Sequence, residues 1–90
     1  MTTLKQWEMK GKAAAVRLAK GGPGDFEEDA CDVEDVGWFA QSIARDDVAQ
    51  FSKSLRVPKA AAPKAAFIRG YASGVRALVT RIKKSKRCRL

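Results

Sequence analysis

Histidine is absent from this chain, and cysteine, proline and tyrosine are scarce at two, three and one residues. Without histidine the chain lacks the commonest general base and the commonest nitrogen ligand for zinc. Cys31 and Cys88 stand far apart and neither belongs to a Cys-x-x-Cys pair. A zinc site would have to be completed by carboxylates, an unusual ligand set, so neither a metal nor a cofactor is expected. Free thiols in a reducing compartment are the expected state of both cysteines. No stretch approaches the roughly 20 apolar residues of a membrane span. Lys5, Glu8, Lys10 and Lys12 interrupt the apolar residues near the start, which excludes a signal-peptide core. The expected setting is therefore cytoplasmic, with no membrane association. Gly21-Gly22-Pro23-Gly24 is glycine-rich but is not followed by Gly-Lys-Ser/Thr, so it is no phosphate loop. These absences predict a binding protein that is not an enzyme.

Charge is present in abundance, and it is unevenly placed. Residues 1–24 sum to +4, residues 25–35 to −7 and residues 36–90 to +11, which gives the net +8. A layout this lopsided points the basic half toward nucleic acid or an acidic protein. The acidic segment can equally lie against the basic helices of its own chain. Ninety residues bury only roughly 60% of the unfolded surface, enough for one small domain.

The hydrophobic spacing is helical throughout. Leu4, Trp7, Gly11, Ala14, Ala15 and Leu18 recur at steps of three and four, predicting a helix from about Thr3 to Lys20 that Thr2 or Thr3 caps. Gly21 to Gly24 should end it. An acidic connector follows at 25–35. Val36, Phe39, Ala40 and Ile43 share one face of a second helix running to Ala44, with Trp38 off that face. Arg45-Asp46-Asp47 reads as a break and a new cap. A third helix is expected from Asp47 to Arg56, with Val48, Phe51 and Leu55 inward and Pro58 as its stop. Pro-Lys-Ala-Ala occurs twice from Pro58, and residues 58–63 read as a hinge with Pro63 in the first turn of the next helix. That last helix, Pro63 to Lys84, carries the stripe Phe67, Tyr71, Gly74, Leu78 and Ile82, widened by Val75 and Val79. Gly70 and Gly74 predict a close helix crossing, for instance against Gly11 and Ala15. The fold class is all-α, a single-domain bundle of three to four helices over residues 1–84, with a basic tail at 85–90 expected to fray.

The polar side of the last helix is the candidate site. Arg69, Ser73, Arg76, Thr80, Lys83 and Arg87 fall at steps of three and four, flanked by Arg81 and Lys84. Steps of seven place Arg69, Arg76 and Lys83 about 10 Å apart along one side, a spacing that could follow a phosphate backbone. Six such cations on duplex phosphates would give a log–log salt slope of about −5. The bland reading is a solvated helix surface. A helix-turn-helix over residues 35–57 would offer Gln50, Lys53, Ser54 and Arg56 to bases, but Asp46 and Asp47 would oppose phosphates there. Trp38 and Phe39 are candidate protein contacts; a core this small would be expected to use both rings as filler.

Ala66-Phe67-Ile68-Arg69-Gly70-Tyr71 with Gly74 resembles the Ala-x-x-x-Gly-Tyr-x-x-Gly helix of the ribosome modulation factor family, over residues 66–74 alone. No site residue follows from so short a likeness. The expected function is a small basic helical protein that binds DNA or RNA through the last helix. The alternative is a phage- or plasmid-encoded inhibitor that binds a host protein or nucleoprotein complex, as anti-CRISPR proteins do. A homodimer is the open question, since glycine-lined helices can complete a core with a second copy.

Overall fold

The computed structural model describes residues 2–21 and 34–84. Among these residues there are four helices and no strand: α1 (Leu4–Gly21), α2 (Val36–Gln50), α3 (Ser52–Leu55) and α4 (Ala61–Lys84). The fold is the expected all-α bundle. Residues 25–33 of the acidic connector, both cysteines, Gly22 to Gly24 and the basic tail lie outside the described residues.

The first two helices start where a side chain satisfies otherwise unpaired N–H groups. At α1, Thr3 and Gln6 form a reciprocal pair. The Gln6 backbone N–H donates to Thr3 Oγ1 at 3.2 Å, and the Thr3 N–H donates to Gln6 Oε1 at 2.8 Å. This is a capping box, satisfying two donors at once. At α2, Asp35 Oδ1 accepts from the Trp38 N–H at 3.0 Å. A carboxylate here also complements the positive end of the helix dipole. α4 begins at Ala61, two residues before the expected start, and the Lys64 N–H reaches the Ala60 carbonyl at 3.0 Å. Pro63 falls in that first turn, where its missing N–H costs nothing.

α4 is the central element, and α1 and α2 pack on it. The seam between α1 and α4 is made of backbone. A Cβ placed on Gly70 would strike the Glu8 carbonyl, and one placed on Gly11 would strike the Phe67 carbonyl and lie 2.9 Å from the Tyr71 nitrogen. One on Gly74 would lie 2.8 Å from Ala15 Cβ and 2.9 Å from the Lys12 oxygen. The glycines expected to mark a close crossing do so; Gly74 meets Ala15 as expected, whereas Gly70 meets Glu8 and Gly11 meets Phe67 and Tyr71. The order of contacts shows that α1 and α4 run parallel, since Trp7 meets Phe67, Glu8 meets Gly70 and Ala15 meets Gly74. The glycine seam is filled within one chain. Around it sit Ala15, Ala40, Ala44, Val48, Phe67, Tyr71, Val75 and Val79, all buried. Trp7 adds an edge-on contact to Phe67 with centroids 6.5 Å apart, and Lys10 Nζ covers its outer face at 4.7 Å. Leu4, expected on the inner face of α1, is exposed in the first turn.

Two expectations about the middle of the chain are overturned. Arg45-Asp46-Asp47 does not break the helix, because α2 runs unbroken from Val36 to Gln50. Ala40, Ala44 and Val48, four residues apart, form one buried stripe that spans the supposed break. Asp47 spends its carboxylate on a tertiary bond: Tyr71 Oη donates to Asp47 Oδ2 at 2.7 Å. The chain breaks instead at Phe51, and α3 is a single turn. Phe51, expected inside, is 39% exposed at that corner. The four-residue α3 leaves no recognition helix, so the helix-turn-helix reading of residues 35–57 falls. α3 closes with the Val57 N–H on the Ser52 carbonyl at 3.1 Å and the Arg56 N–H on the Lys53 carbonyl at 3.3 Å, with Arg56 left-handed at φ 55. That is the Schellman closure usually given to glycine.

Candidate functional site

α2 and α4 do not close on each other along their whole shared length. On one flank they leave an open groove of about 560 Å³. Its floor is small and apolar, made by Gly37 and Ala40 of α2 and by Ala65, Ile68 and Ala72 of α4. Its polar lining is Gln41 and Arg45 of α2 and Arg69, Ser73 and Arg76 of α4. Three arginines from two helices thus line one concave surface, and among the described residues no carboxylate lines it. Arg45, Arg69 and Arg76 are all exposed.

The register that builds this groove follows from the core. Ala40, Ala44 and Val48 turn one face of α2 into the bundle. Residues one step on from that face, Gln41 and Arg45, then flank the groove. Asp47 stands two residues beyond Arg45, about 200° around the helix, on the opposite flank. Its bond to the buried Tyr71 holds it there and fixes the rotation of α2 on α4. Burial pushes the Tyr71 phenol well above its ordinary value, and the hydrogen bond and charge of Asp47 push it further the same way. Asp47 is therefore kept out of the arginines' groove.

The expected basic stripe is only partly one site. Arg69, Ser73 and Arg76 line the groove, while Arg81, Lys83 and Lys84 lie beyond its end on α4. Lys83 is half-buried and Arg81 and Lys84 are exposed. Thr80 Oγ1 donates to the Arg76 carbonyl at 2.8 Å, so that hydroxyl serves the helix. Arg87 lies outside the described residues. Arg45 is hidden from a sequence reading that places a helix break at 45–47. The signal was available: Gln41 and Arg45 are four apart beside the Ala40–Ala44–Val48 stripe.

Trp38 and Phe39 separate. Phe39 is half-buried and packs against the core. Trp38 is 69% exposed, the most exposed of the large apolar side chains described, so its expected role as core filler is overturned. It shares an α2 stripe with Gln41 and Arg45, at steps of three and seven, and follows Gly37 at the groove's end.

Among the described residues no cluster of three His, Cys, Asp or Glu side chains gathers as a metal-binding group. No described helix is long and apolar enough to cross a membrane. Gly70, Tyr71 and Gly74, which carry the likeness to the ribosome modulation factor helix, are taken up by the α1 crossing and the Asp47 bond. No protein-family model, curated protein or solved structure matches the chain.

Proposed function

We propose that this chain is a nucleic-acid-binding protein whose contact surface is the groove between α2 and α4. The observation that carries this reading is that Arg45, Arg69 and Arg76 line one groove to which no carboxylate among the described residues contributes. Guanidinium groups bind phosphate oxygens through paired N–H donors in a fixed fork. Arg69 and Arg76 stand two helical turns apart, about 10 Å along α4. Arg45 faces them from the neighbouring helix. The net charge of +8 adds long-range attraction to any polyanion.

The test is a fluorescence-anisotropy titration of labelled single-stranded RNA and of duplex DNA, at low and near-physiological salt. Wild type should bind in the micromolar range at low salt and lose affinity steeply as salt rises. The variant R45Q/R69Q/R76Q should lose most of that binding while keeping its helical circular-dichroism spectrum. Equal affinity of the triple variant and wild type sinks the proposal.

The second reading is a protein partner, and the exposure of Trp38 favours it. Tryptophan and arginine are the side chains most enriched at interface hot spots. A phage- or plasmid-encoded inhibitor that presses this surface onto a host nucleoprotein complex would use the same residues. Absence of nucleic-acid binding at low salt, together with a stable complex lost in Trp38→Ala, would establish it.

A further inference from the structure

The groove and the exposed tryptophan belong to one surface, and we infer that its ligand is single-stranded nucleic acid, with an unpaired base stacked on Trp38 and the neighbouring phosphates held by Arg45, Arg69 and Arg76. This rests on the nucleic-acid reading of the groove and names the class of strand. Trp38 lies on the α2 stripe of Gln41 and Arg45, and its neighbour Gly37 lines the groove. Seven residues separate Trp38 from Arg45, about 10 Å along the helix. A flat aromatic face thus stands at one end of a cationic channel.

A duplex keeps its base faces stacked inside, where a surface ring cannot reach them. A single strand exposes base faces and phosphates together, and aromatic platforms combined with basic grooves hold both. The groove floor suits the same ligand. Gly37, Ala40, Ile68 and Ala72 present an apolar surface between the arginines, complementary to a sugar or base edge. Glu34 and Asp35 precede Trp38, and Asp35 is bound to the Trp38 N–H. Phosphate is disfavoured at that end, whereas an uncharged base is not. The phosphates therefore run toward Arg45, away from Glu34 and Asp35, and the base rests at Trp38.

The experiment compares a short mixed-sequence RNA oligonucleotide, single-stranded and as a duplex, against wild type, Trp38→Ala, Trp38→Phe and R45Q/R69Q/R76Q. Because Trp38 is largely exposed, its replacement should leave the fold intact, which circular dichroism checks. Trp38→Ala should weaken single-strand binding roughly 5- to 150-fold and leave duplex binding within about twofold. Trp38→Phe should retain most of the single-strand affinity. Tryptophan fluorescence should be quenched by the single strand in wild type and much less in Trp38→Phe, where the half-buried Trp7 is the remaining reporter. If Trp38→Ala binds both strands like wild type while the arginine variant binds neither, the groove reading stands and the stacking inference is overturned. Equal losses on both strands in Trp38→Ala overturn it too. If no oligonucleotide binds at low salt, the groove reading itself fails and this inference with it.

Discussion

Tyr71 ties together three parts of the molecule: it is buried in the core, it sits against Gly11 across the helix crossing, and it donates its hydroxyl hydrogen to Asp47. Removing that hydroxyl in Tyr71→Phe leaves a half-buried carboxylate without its partner. The expected cost is about 1–2 kcal/mol, measurable by urea denaturation. The phenol also makes a pH prediction. Its pKa is raised in the folded state above the ordinary 10.0, so the folded protein holds a proton that the unfolded chain gives up. The stabilisation is complete below pH 10 and is lost as pH rises above it, by up to about 1.4 kcal/mol per pH unit. Tyr71 is the sole tyrosine, so phenolate absorbance reads it alone. That absorbance should stay low at pH values where a free phenol ionises and should rise together with loss of helical circular dichroism. A phenolate signal that appears while the protein is still folded contradicts the burial. Glycine gives a second contrast. Gly70→Ala gains about 1 kcal/mol of helix propensity, but its Cβ would strike the Glu8 carbonyl, a backbone atom that moves only if the helices part. Overpacking costs about 1–3 kcal/mol or more, so the substitution should destabilise. At Gly37 the nearest atom to an added Cβ is Asp35 Oδ1 at 3.6 Å, an ordinary contact. Gly37→Ala should therefore stabilise by a few tenths to about 1 kcal/mol, and paired melting curves of the two variants check both signs.

At the scale of helices, the sequence was most legible where periodicity and punctuation agreed. α1 and α4 each fell within two residues of their expected ends, because their apolar stripes are long and their starts carry a capping threonine or a first-turn proline. The glycine crossing was legible because glycine on an apolar helix face has few other uses in a soluble bundle. The middle of the chain was not legible, for a physical reason. Arg45-Asp46-Asp47 looks like a cap when only local hydrogen bonding is weighed, since aspartate competes well for backbone N–H groups. Tertiary packing outweighs this: the Ala40–Ala44–Val48 stripe buries continuously, and Asp47 finds a better donor in Tyr71. Missing the continuity of α2 also hid the groove, because only an unbroken helix sets Arg45 beside Gln41 and opposite Arg69 and Arg76. Where the helix does end, the chain turns through Arg56 in the left-handed region. A side chain there costs about 1–2 kcal/mol, partly offset by the extra freedom a glycine would have in the unfolded chain. Arg56→Gly should raise stability by about 0.5–1 kcal/mol. A loss of stability would mean that the Arg56 side chain makes a contact worth more than its strain.

For the whole molecule, the central question is whether binding depends on total charge or on where the charge sits. A protein of net charge +8 attracts polyanions without any site at all. The two cases separate through the salt dependence. Each cation that displaces a counterion from a single strand contributes about 0.7 to the log–log slope. Neutralising Arg45, Arg69 and Arg76 should therefore flatten the slope by about 2. A control that neutralises the exposed Lys5, Lys53 and Lys59, which do not line the groove, lowers the net charge by the same amount, from +8 to +5. If the groove is the site, this control should keep nearly the full slope and lose little affinity, because none of the three lysines lines the groove. If total charge governs binding, the two triple variants should be indistinguishable. The comparison holds composition effects constant, since both variants remain strongly basic and neither removes a core contact. A slope difference near 2 between them would place the phosphates in the groove, and equal slopes would return the three arginines to the solvated surface of a helix.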